Sequence, residues 1–79
     1  MTDLDTQVDE LITRVCGTAE VLDEPDLDLF EAGVLDSLGA VELLVELGEI
    51  TGVHVAPTEA DREEFSSVTR IREFARSLQ

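Results

Sequence analysis

The chain has 79 residues, with five arginines and no lysine set against 19 carboxylates, for a formal net charge of -14. A domain this small buries only about 60% of the surface its unfolded chain exposes, so a large enclosed active site is not expected. A charge of this sign repels nucleic acid and anionic membranes and steers basic partners toward the surface.

Met1 opens the chain and the periodic apolar residues run to Leu78, so one intact, free-standing domain over residues 1–79 is expected. Cys16 is the one cysteine, which excludes an intrachain disulfide and any Cys-x-x-Cys metal or redox pattern. The N-terminus shows neither the basic nor the apolar region of a signal peptide, and no apolar run approaches the length of a membrane span. A cytoplasmic monomer is the expectation. High net charge with few aromatics is also a mark of disorder. The 43% hydrophobic content and its periodicity point instead to a folded domain.

Leu4, Val8, Leu11, Ile12, Val15 and Ala19 fall on one helical face and predict a first helix from about Asp3 to Thr18, with Thr2 as its cap. Gly17 to Asp36 reads as a long connection pinned by Leu27, Leu29, Phe30, Val34 and Leu35. Leu27 and Leu29 alternate with acids in a strand-like way, but no second strand is evident to pair with them. A second helix is predicted from Ser37 to about Thr51, stopped by Gly52. An extended link from Thr51 to Pro57 should drop Val53 and Val55 toward the core. Thr58 should cap a short third helix ending near Phe65. Ser66 or Ser67 should start a fourth, with Val68, Ile71, Phe74, Ala75 and Leu78 facing inward. The expected fold is all-α, a small four-helix bundle of three longer helices and one short one.

The informative stretch is Phe30 to Leu47, in which a glycine, two apolar residues, an aspartate and a serine lead straight into an apolar helix. Ser37 is thereby placed at a helix N-terminus, where unpaired backbone N–H groups and the helix dipole suit a phosphate ester. The plainer alternative is that Asp36 or Ser37 is only an N-cap. Along the second helix Glu42, Glu46 and Glu49 share one stripe, flanked by Leu38 and Val45. Like charges four apart cost a helix roughly 0.2–0.5 kcal/mol per pair. A docking face for basic partners is one reason to retain them, and a simply solvated face is the other.

The remaining candidates point to no chemistry of their own. Cys16 borders an apolar face and reads as a packing residue. His54 is the one histidine, too few for a zinc site. Asp23, Glu24, Asp26 and Asp28 lack calcium-loop spacing, and Glu59, Asp61, Glu63 and Glu64 read as a solvated face.

The segment GVLDSLGAVELL resembles the phosphopantetheine attachment motif of the acyl and peptidyl carrier proteins, and the resemblance covers nearly the whole chain. Gly39, the LFEAGVLD segment and PTEADREEF look most like the D-alanyl carrier proteins of teichoic acid D-alanylation. Against that pattern the chain carries Ala40 for threonine, Ala60 for an aromatic, Phe65 for tryptophan, and Ser66, Ser67 and Val68 for an Asn-Thr-Pro step. Stand-alone carriers of nonribosomal peptide and polyketide pathways therefore stay open as an alternative.

The resemblance implies a carrier-protein bundle that is not itself an enzyme. It implies that Ser37 carries 4'-phosphopantetheine, transferred from coenzyme A by a phosphopantetheinyl transferase. An ATP-dependent adenylating ligase would load the arm with an acyl or aminoacyl thioester, and a downstream acceptor enzyme would unload it. Asp36, Leu38, Glu42, Val45 and Glu46 match the positions that meet these partners. An unmodified acidic helical adaptor is the competing class. A small hydrolase would need a base, which the sequence does not place near Ser37.

Overall fold

A computed structural model describes residues 3–56 and 60–78. Helix α1 spans Leu4–Cys16, and its cap is Asp3 rather than Thr2, which lies outside the described residues. The Asp3 carboxylate accepts the Thr6 amide at 2.8 Å, and this bond holds it below the usual carboxylate range. The helix stops two residues earlier than the apolar pattern suggests. Gly17 takes φ 77°, a left-handed conformation open to glycine at little cost, and donates its amide to the Thr13 carbonyl. Ala19 consequently lies beyond the helix and is exposed.

Helix α2 spans Ser37–Thr51 and ends at Gly52, with φ 80°, as its sequence predicts. Helix α3 spans Val68–Ser77 and is capped by Ser67, whose side chain accepts the Arg70 amide. Among the described residues, the stretch expected to be a short third helix forms a 3-10 turn, Arg62–Phe65. Its proposed cap Thr58 lies outside the described residues. Among the described residues the bundle thus has three α-helices rather than four, and a 3-10 turn also lies at Glu20–Asp23. No strand forms among the described residues, Leu27 and Leu29 included.

Val8, Leu11 and Ile12 from α1, Leu43, Leu44 and Leu47 from α2, and Val68, Ile71 and Ala75 from α3 meet in one core. Phe65 closes it, packed edge-on against Phe74 at 5.2 Å between ring centroids. Val55 packs against this core, whereas Val53 is exposed, so only half of the expected link anchors inward. Phe74 and Leu78 are half-buried against the core.

Ion pairs span the helices: Arg72 to Asp9 through two 2.9 Å hydrogen bonds, Arg76 to Asp5 at 2.8 Å, and Arg14 to Glu46. Exposed pairs contribute roughly 0–1 kcal/mol each, against roughly 1.5–3 kcal/mol for burying one large apolar side chain. The apolar core therefore dominates cohesion. Among the described residues no helix is long and apolar enough to cross a membrane.

Candidate functional site

The approach to α2 is fixed by the loop before it. Asp28 uses one carboxylate oxygen to accept the amides of Phe30 and Glu31, at 3.0 and 3.1 Å, which curls the chain into a turn. Gly33 completes the turn at φ 77°. Leu29 then serves as a node. Its amide donates to the Ser66 carbonyl at 2.7 Å, its own carbonyl accepts the amides of Val34 and Leu35, and its side chain is fully buried. Thr69 ties the earlier part of the loop to α3, donating its amide to the Pro25 carbonyl and its hydroxyl to Asp26. Leu35 is also buried, so the chain emerges at Asp36 from an anchored base.

Asp36 is the N-cap of α2: its backbone is extended and its carboxylate accepts the Gly39 amide at 2.8 Å. Gly39 suits this close start because a Cβ there would lie 2.8 Å from the buried Leu35 side chain. Capping by Asp36 relieves Ser37 of that duty. Ser37 is the first helical residue, is exposed, and among the described residues no hydrogen bond engages its hydroxyl. The amides of Ser37 and Leu38 belong to the set that no helical carbonyl can satisfy, so they are available to an anionic oxygen.

Beside Ser37 runs a groove of about 170 Å³. One wall is α2, with Ala40, Val41 and Leu44, and the other is Ala60, Arg62 and Phe65, with Phe30 from the loop. The groove is mostly apolar and Ser37 lines it, so an arm ending in a phosphate ester on Ser37 meets both backbone donors and a nonpolar track. The residues present fit phosphopantetheine.

Of the expected docking residues, Asp36, Leu38, Glu42 and Val45 are all exposed. Glu46 differs, being half-buried and paired with Arg14 of α1, so the acidic stripe is partly compensated without any lysine. Sequence reading passed over Val41, which is 42% exposed between Leu38 at 72% and Val45 at 53%. Its spacing of three from Leu38 and four from Val45 was the available signal. His54 is exposed at the far end of α2, beside Gly48. Cys16 is half-buried against the core, and burial pushes its thiol up from the ordinary value. Among the described residues no cluster of side chains is arranged to hold a metal ion.

Residues 6–76 match the family described as "Phosphopantetheine attachment site". The chain is similar to the D-alanyl carrier protein of Lactococcus lactis subsp. lactis strain IL1403, 40% identical over 65 residues that cover 82% of each chain. It is 36% identical to the D-alanyl carrier protein of Latilactobacillus sakei strain 23K, over 98% of this chain and 99% of the relative. It is 48% identical to that of Streptococcus uberis strain 0140J over 76% of each.

Proposed function

We propose, from the premise that this chain belongs to the phosphopantetheine attachment-site family, that Ser37 is its attachment residue and D-alanine its cargo. The chain is a carrier protein with a covalently held 4'-phosphopantetheine. One observation carries the Ser37 assignment: its hydroxyl is exposed and unengaged at the start of α2 while Asp36 does the capping. When attached, the arm supplies a terminal thiol that holds an acyl or aminoacyl group as a thioester. The chain's own part is to present and position. Asp36 orders the first turn, the Ser37 and Leu38 amides offer donors to the phosphate ester, and Leu38, Val41, Glu42 and Val45 form the face that partners meet.

The carrier acts as a free-standing cytoplasmic monomer of one domain over residues 1–79. It meets a phosphopantetheinyl transferase, an ATP-dependent adenylating ligase and a downstream acceptor enzyme. It is not itself an enzyme in this reading. Its one histidine, His54, sits beside Gly48, about 16 Å along the helix axis from Ser37 at 1.5 Å per residue, too far to act as a base. D-alanine is supported by the names of relatives 36–48% identical to this chain.

A second reading, a stand-alone peptidyl or acyl carrier, is favoured by one observation. Ala40, Ala60 and Phe65, three positions that depart from the D-alanyl carrier pattern, all line the groove beside Ser37.

Incubation with coenzyme A and a broad-specificity transferase, followed by intact mass, tests the site. Wild type should gain one phosphopantetheine and Ser37→Ala none; an equal gain in both overturns the assignment. The loaded wild type, offered to an adenylating ligase with D-alanine, L-alanine or short fatty acids in competition, should take D-alanine. Preference for another acid selects the second reading.

A further inference from the structure

In a chain with five arginines and a net charge of -14, the placement of each cation is informative. Arg14, Arg72 and Arg76 are committed to carboxylates that hold α1 against its neighbours. Arg62 is used differently. Its guanidinium carbon lies 4.1 Å from the centroid of the Phe30 ring, a stacked seat that fixes the group without neutralising it. Among the described residues no carboxylate forms an ion pair with it.

Arg62 and Ser37 line the same groove, where Arg62 is the one cation among mostly apolar walls. A phosphodiester on Ser37 would add negative charge next to the Asp36 carboxylate, on a protein already strongly anionic. The helix terminus offers partial charges only. A guanidinium presents a planar fork of donors that matches two phosphate oxygens.

We infer that Arg62 is the counter-charge for the phosphodiester on Ser37, positioning the proximal end of the arm along the groove between α2 and the 3-10 turn Arg62–Phe65. This rests on the attachment reading above. The seat on Phe30 pre-orients the guanidinium, so little side-chain freedom is lost when the phosphate is added. The role requires no partner enzyme, because both groups belong to this chain.

The test uses the isolated protein, without and with its arm, after intact mass has established loading in wild type and its loss in Ser37→Ala. The ¹⁵N-labelled protein should show the Arg62 Nε–H resonance moving on loading while that of Arg76 stays in place. In loaded Arg62→Gln the ³¹P resonance should move toward that of free phosphopantetheine, and Arg62→Lys should retain part of the wild-type shift. Circular dichroism checks that the variants fold; should Arg62→Gln fail to fold, the wild-type comparison decides alone. An Arg62 resonance indifferent to loading, or one ³¹P position shared by all loaded forms, overturns the inference and leaves Ser37 standing. Absence of a Ser37-dependent mass gain overturns the attachment reading instead.

Discussion

Two hydroxyl- or thiol-bearing side chains decide what chemistry this chain can display, and their environments are opposite. Ser37 is exposed and its hydroxyl unengaged, while Cys16 packs against the core. Burial disfavours the Cys16 thiolate, the reactive form, and so slows its attack on electrophiles. A carrier whose cargo rides on a thiol gains from keeping its own thiol quiet. We predict that iodoacetamide alkylates the free terminal thiol of the unacylated arm well before Cys16, read by mass of the two proteolytic fragments. Equal rates would show that Cys16 is far more accessible than its packing implies.

Two elements hold the serine in position, and each supports its own expectation. The loop before α2 depends on Leu29, whose side chain is buried and whose three backbone bonds join it to Ser66, just after the Arg62–Phe65 turn, and to Val34 and Leu35 beyond Gly33. Leu29→Ala should cost about 2–5 kcal/mol, measured by urea unfolding, as large-to-small changes at fully buried sites do. A loss under ~1 kcal/mol would mean the loop is anchored elsewhere.

Helix α2 presents Leu38, Val41 and Val45 beside Glu42 on its exposed side. Glu46 is a poor probe of docking, because reversing it also breaks its pair with Arg14. Glu42→Lys is the cleaner change. It should slow loading several-fold at low salt, a fraction of the roughly 10- to 1,000-fold that a whole steering field can supply, with circular dichroism unchanged. Loading at the wild-type rate would remove Glu42 from the proposed docking face.

The whole molecule carries 19 carboxylates in a small fold, and three described ion pairs leave most of them uncompensated. Salt acts on both terms. It weakens the pairs, worth at most about 1 kcal/mol each at exposed sites, and it screens repulsion acting beyond the Debye length of about 8 Å at physiological ionic strength. With the net charge at -14 the repulsive term is the larger. The melting temperature should therefore rise with sodium chloride while association with basic partners slows, both measurable over one salt series by thermal melts and stopped-flow loading. A flat melting temperature would mean that local pairs such as Arg72 with Asp9 already balance the repulsion.

Helix α2, from Ser37 to the glycine stop at Gly52, was legible in the sequence because a polar cap, a periodic apolar face and a left-handed terminator are all local signals. The inward residues of α3 and the position of Ser37 were legible for the same reason. The end of α1 was less so: Ala19 continued the apolar spacing, but Gly17 turned the chain first. The region before Phe65 narrowed to a 3-10 turn, since so short a segment forms few internal hydrogen bonds and takes its shape from packing. That Arg14 reaches Glu46, and that Arg62 rests on Phe30 and shares a groove with Ser37, became visible in the folded chain alone. Those residues lie far apart along the chain, and a period of 3.6 residues describes which face a side chain occupies without saying which face it meets.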